Sequence, residues 1–126
     1  TVHGGGGRYA HRRIAFLSQR RFPIDMKISM QQAALAFPVV VFAHKLEDNS
    51  RKVMDISECI VHDDGELEYR TLYRYQIHRN EYVDGQFRIF GEFIRENSLS
   101  ENLCAKLMRG GIPQELLGKL NRRKEN

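Results

Sequence analysis

The stretch from Ala36 to Ile60, AFPVVVFAHKLEDNSRKVMDISECI, limits what this chain can fold into more than any other part of it. Val39, Val40, Val41 and Phe42 form a short β-branched and aromatic run, entered through Phe37-Pro38 and followed closely by Lys45. That composition and length predict a buried strand rather than a helix. Glu47-Asp48-Asn49-Ser50 supplies a polar turn. Beyond it Val53, Asp55 and Ser57 alternate with Met54, Ile56 and Glu58, a period of two that predicts a second strand with one wet face. Two strands joined in this way predict a β-hairpin.

Upstream, Gly4 to Gly7 read as a flexible run. Tyr9, Ala10, Ile14 and Leu17 then recur near helical spacing among arginines, so a helix is expected over about residues 8–20, closed by Pro23. Its apolar residues are few, which makes it the element expected to be least anchored. Ser29, Met30, Ala33, Ala34 and Leu35 predict a second helix over roughly residues 26–36. Downstream, His62-Asp63-Asp64-Gly65 has the composition of a turn. A third strand is expected from Glu66, with Leu67, Tyr69, Thr71, Tyr73 and Tyr75 on one face and Glu68, Arg70, Leu72, Arg74 and Gln76 on the other. Val83-Asp84-Gly85 repeats the turn chemistry before a fourth strand through Phe87, Ile89, Gly91 and Phe93. Ser98 or Ser100 then caps a helix marked by Leu99, Leu103, Leu107 and Met108 and ended by Gly110-Gly111. Pro113 opens a last helix through Leu116, Leu117 and Leu120, and the terminal residues are expected to fray. The fold class is therefore mixed α/β with an antiparallel strand section, in a single domain whose parts are residues 1–36, 37–93 and 98–121.

Length and charge bound the function. One hundred and twenty-six residues suit one core, and no apolar run approaches the roughly 18 residues of a membrane helix. Thr1-Val2-His3 begins without a methionine or a leader pattern, so the chain reads as a piece of something longer. The formal charge of +4 favours acidic partners. Yet much of the excess sits in Arg8, Arg12, Arg13, Arg20 and Arg21 and in Lys119, Arg122, Arg123 and Lys124. Terminal basic runs are more often solvated faces than binding sites, so nucleic acid is not an expected partner. Cys59 and Cys104 form no CxxC pair, which points to buried thiols in a reduced, cytoplasmic setting.

Most catalytic patterns are missing. Gly4 to Gly7 before a helix has the shape of an anion cradle, but the only Gly-Lys is Gly118-Lys119, and it makes no Walker A loop. His3, His11, His44, His62 and His78 are scattered, with neither HExxH nor a cysteine pair, so no metal site is expected. His62-Asp63-Asp64 suits a turn better than a cation. Neither cysteine has a histidine that sequence can identify as its activator. Tyr69, Tyr73 and Tyr75 beside Arg70 and Arg74 have the makings of a stacking platform for bases, although such tyrosines more often pack a sheet face.

Taken together, the stretches resemble the C-terminal part of a CpaF/TadA-type ATPase, of the type II/IV secretion ATPase superfamily. Thr1-Val2-His3 resembles the His box, S-T-[VI]-H-A-N-S, and Arg8, Ala10, Arg13 and Ile14 fall where that family has R-x-A-x-x-R-L. Ala36-Phe37-Pro38-Val39-Val40-Val41 is similar to A-V-D-L-I-V, Arg51 to Glu58 to R-R-V-x-x-I-[ST]-E, and Leu72-Tyr73-Arg74-Tyr75 to I-F-R-F. Asp84-Gly85, Gly91-Glu92-Phe93 and the helix with Lys106 and Leu107 ending in Gly111-Ile112-Pro113 complete the series. Gly4-Gly5-Gly6 replaces the polar residues after the histidine, Pro38 replaces an aspartate, and the Walker A, Asp-box and Walker B segments are absent. The resemblance implies the C-terminal portion of a RecA-like P-loop domain in a homo-hexameric motor that hydrolyses ATP for pilus assembly, secretion or conjugation. It implies ATP and Mg2+ held mostly by upstream residues, with His3 as the catalytic residue beside the phosphates, and this piece inactive alone. It also implies inner-membrane secretion or pilus-assembly platform proteins as partners and a cytoplasmic place on the inner face of the membrane. The alternative from residues alone is a free-standing basic module that binds single-stranded nucleic acid or a protein through Arg70, Arg74 and the tyrosines.

Overall fold

The computed structural model describes residues 1–21 and 24–121. Pro23 and the basic residues Arg122, Arg123 and Lys124 lie outside the described residues, as does most of the end expected to fray. The elements follow the order α1 (Gly7–Gln19), α2 (Met26–Ala36), β1 (Val39–Lys45), β2 (Arg51–Val61), β3 (Leu67–Val83), β4 (Gln86–Arg95), α3 (Glu101–Arg109) and α4 (Gln114–Asn121). The fold is mixed α/β. Its strands form one antiparallel sheet in the order β1-β2-β3-β4, as short connections require.

Local chemistry accounts for the element ends. Asp84 and Gly85 both hold positive φ, 52° and 74°, the geometry of a two-residue hairpin turn that Asp-Gly favours. Asp25 caps α2 by accepting from the Lys27 amide at 2.8 Å, and Ser100 caps α3 by accepting from the Leu103 amide at 3.1 Å. Gly111 at φ 98° ends α3, with the Ile112 amide returning to the Leu107 carbonyl at 3.0 Å.

The sheet departs from a simple period of two. Ile56 stands opposite Tyr73 and Ser57 opposite Thr71, so Leu72 is an extra residue, a β-bulge. A bulge reverses the facing of the residues beyond it. Tyr69 keeps to the side of α1, where its hydroxyl meets His11, whereas Tyr73 reaches the Leu120 carbonyl of α4 at 3.4 Å. The single face expected for Leu67, Tyr69, Thr71, Tyr73 and Tyr75 is thus split in two.

The core lies where both sheet faces are covered. Ser57, Glu58 and Cys59 are consecutive and all buried. Alternation sends the first and third toward α1, while Glu58 points to α3 and accepts from the Ser100 amide at 3.1 Å and from its hydroxyl. Leu72, Tyr75, Leu103 and Leu117 complete this end from β3, α3 and α4. On the helical side the buried residues of α1 are Gly7, His11 and Ala15. The stripe expected there, Tyr9, Ala10, Ile14 and Leu17, is not the inner one: Tyr9 and Leu17 are exposed.

Candidate functional site

The most tightly built polar group lies under α1. Gly7, His11 and Ala15 are spaced four residues apart and share one helix face, and their small or flat side chains let α1 approach the sheet closely. A Cβ on Gly7 would stand 2.9 Å from the Tyr69 ring and 3.7 Å from Val40, so this glycine is a contact requirement. His11 is fully buried. Its Nε2 lies 2.7 Å from the Phe37 carbonyl and its Nδ1 2.7 Å from the Tyr69 hydroxyl. A carbonyl only accepts, so the partners assign the ring proton to Nε2, and Nδ1 accepts from Tyr69.

Tyr69 extends the group into the sheet. Cys59 is its cross-strand partner on β2, near enough for each group to influence the ionisation of the other. The Arg8 guanidinium sits 4.9 Å above the Tyr69 ring and donates to the Leu67 carbonyl at 3.4 Å. Burial pushes the Cys59 thiol up, and burial with the neighbouring thiol holds the Tyr69 phenol far above its ordinary value, against the opposing charge of Arg8. A buried thiol kept protonated is a poor nucleophile. Among the described residues no buried side-chain nitrogen or oxygen lacks a partner. The relay from Tyr69 through His11 to Phe37, with Cys59 beside Tyr69 on the next strand, is therefore a lock that fixes α1 and the end of α2 onto the sheet.

A small cleft opens on the far side of β2. It has a volume of about 150 Å³ and lies between α2, β2 and α3, with Leu35, Pro38, Glu58, Ser100 and Lys106 on its walls. Lys106 Nζ reaches the Leu35 carbonyl at 3.4 Å. The Glu58 carboxylate is already engaged by the α3 cap, which leaves a mainly apolar recess.

The residues singled out from sequence are dispersed. His3 is exposed, with no hydrogen bond or ion pair among the described residues. Gly4 to Gly7 do run directly into α1: Gly6 holds φ 137°, and a Cβ on Gly4 would collide with the Tyr9 ring. His62 pairs with Glu68 at 2.9 Å on the β2–β3 connection, and among the described residues no group of three histidine, cysteine or acidic side chains is placed to hold a metal ion. Arg74 is paired with Glu96 at 2.6 Å. With Tyr69 and Tyr73 on opposite faces and Tyr75 buried against Phe93 at 5.1 Å between centroids, the tyrosines do not form one platform. The His11 group escaped the sequence because its partners lie 26 and 58 residues away. The signal that marks it is a histidine spaced four from both a glycine and an alanine. Among the described residues no helix is long and apolar enough to cross a membrane. Neither the protein-family models nor the curated proteins compared with this chain give a match.

Proposed function

We propose that the chain is the C-terminal portion of a hexameric motor ATPase that couples ATP hydrolysis to pilus assembly, secretion or conjugative transfer. The observation that carries this reading is that the separate stretches of the resemblance meet in space. The helix after the His-box segment is pinned by His11 to Phe37 of the Ala36–Val41 stretch, and Pro38 of that stretch accepts from the Cys59 amide at 2.7 Å. Glu58, the last residue of the Arg51–Glu58 stretch, holds Ser100, which caps the helix that ends in Gly111-Ile112-Pro113. Residues that share a motif series for one machine have reason to be assembled in this way.

On this reading the RecA-like core with its phosphate loop lies upstream. The residues present do not make a nucleotide and Mg2+ site by themselves, since the chain has no lysine-bearing phosphate loop. What it contributes is His3 and a scaffold for the loop that carries it. Inner-membrane platform proteins and a peripheral cytoplasmic position belong to the same proposal. The test is the longer protein. A G-x-x-x-x-G-K-[ST] segment upstream of Thr1, ATP turnover by that protein, and a His3→Ala variant that loses turnover more than nucleotide affinity support the reading. An upstream sequence without a phosphate loop sinks it, and unchanged turnover in the variant removes the role of His3.

A further inference from the structure

The helix that uses Gly7, His11 and Ala15 against the sheet presents a different set of residues outward. At 100° per residue, Tyr9, Arg12, Arg13, Phe16 and Arg20 fall within an arc of about 100°, opposite the buried stripe. Tyr9 and Phe16 are 56% and 53% exposed. Tyr9, Arg12, Arg13, Phe16 and Met26 together line a groove of about 400 Å³. The helix contains no acidic residue, and among the described residues neither Arg12 nor Arg13 has an ion-pair or hydrogen-bond partner.

We infer that this face of α1 binds single-stranded nucleic acid without sequence preference. Two exposed rings seven residues apart stand about 10 Å apart along the helix, a span of a few nucleotides, with both guanidiniums between them. That order of ring, cation, cation, ring is what a single strand requires, because every base offers a stacking face and every linkage a charge. The stripe carries no amide or carboxylate to read adenine or cytosine edges, and guanidiniums engaged with phosphates are not free to read guanine, so sequence preference has no source. A helix that lies in a membrane surface gathers its apolar residues on one side with cations along the flanks. Here the cations separate the rings, and the opposite side of the helix is already packed on the sheet. This inference does not rest on the motor reading, and the failure of either leaves the other standing.

The test is fluorescence anisotropy of a labelled oligothymidylate of about 20 nucleotides with the 126-residue chain, from about 50 mM salt upward. Binding is expected at low salt and should weaken linearly on a log–log plot. Arg12→Gln with Arg13→Gln should make that slope shallower by about 1.4, two contacts at about 0.7 each. Tyr9→Ala with Phe16→Ala should weaken binding about tenfold or more at every salt concentration and leave the slope unchanged. Circular dichroism confirms that each variant is folded, and Arg13→Gln alone, at an exposed position, gives half the slope change if the double variant is not. Absence of binding at low salt overturns the inference, as does binding that neither pair of substitutions alters. Capture by vesicles rich in phosphatidylserine without binding of the oligonucleotide also overturns it, and assigns the face to a membrane.

Discussion

His11 joins three parts of the fold through one ring, and its burial makes every one of its bonds costly to lose. Replacing it by alanine leaves the Tyr69 hydroxyl and the Phe37 carbonyl without their partner and opens a cavity beneath α1. The two effects together should cost about 3 kcal/mol, read as a lower urea midpoint with an unchanged slope. The neighbours predict a pH dependence. Cys59 and Tyr69 both hold their protons more tightly when folded, because burial disfavours their anions. Above the unfolded thiol value, near 9.0, the folded state therefore binds more protons than the unfolded one, and stability falls as pH rises. Below that value the contribution is fully present. Tyr69 adds to the fall above its unfolded value of 10.0. Urea unfolding between about pH 7 and about pH 10.5 should show the loss, and Cys59→Ala should remove its earlier part. Stability that is flat across this range would mean that the relay has no role in the fold. Sequence displays such a residue only through its spacing of four from Gly7 and Ala15, because nothing within Ala10-His11-Arg12 distinguishes a buried ring from an exposed one.

At the scale of elements the legible features are those set by neighbours in the chain. Asp84-Gly85 reads as a turn from two residues, Ser98 or Ser100 as a cap, and Gly110-Gly111 as a stop from the residues before it; the turn and the stop stand where the sequence puts them, and of the two serines Ser100 is the cap. The inner face of α1 is not legible in this way, because sequence patterns reward large apolar residues, whereas close packing on the sheet selects Gly7, His11 and Ala15. The bulge at Leu72 is invisible for a related reason. Alternation in β3 continues through it on paper, and only pairing with Ile56 and Ser57 exposes the extra residue. One cap links an element to the core. Ser100 accepts from the Leu103 amide and donates to the buried carboxylate of Glu58, so Ser100→Ala should cost about 1 kcal/mol through the cap and more through the Glu58 oxygen that loses its hydroxyl donor, the bond from the residue 100 amide remaining. Hydrogen exchange should quicken from Leu103 to Met108 while β2 and β3 keep their protection. Uniform loss across the sheet would show that α3 is not a separate unit.

For the whole molecule, short connections make the strand order legible, but nothing in the sequence says which stretch of sheet each helix covers. Both faces are covered near Ser57, Cys59 and Leu72, and β2 and β3 stay paired only as far as Asp55 opposite Arg74. Past that point β3 and β4 continue as a hairpin to Val83 and Gln86. On it Ile77, Tyr82, Phe87 and Phe93 are exposed, as is Phe90 beneath the Arg79 guanidinium. Protection against exchange follows burial and density of contacts rather than strand membership. Amides at Ser57 to Cys59 and Tyr69 to Leu72 should therefore exchange only through global unfolding, while those from Arg79 to Arg88 should exchange through local opening. The amides of α1 around His11 and Ala15 should side with the slow group, although the sequence marks this helix as the least anchored. Denaturant separates the two classes, since exchange by global unfolding quickens steeply with urea and exchange by local opening hardly at all. If the α1 amides prove insensitive to urea, α1 opens on its own, and the lock formed by His11, Tyr69 and Cys59 does not hold it.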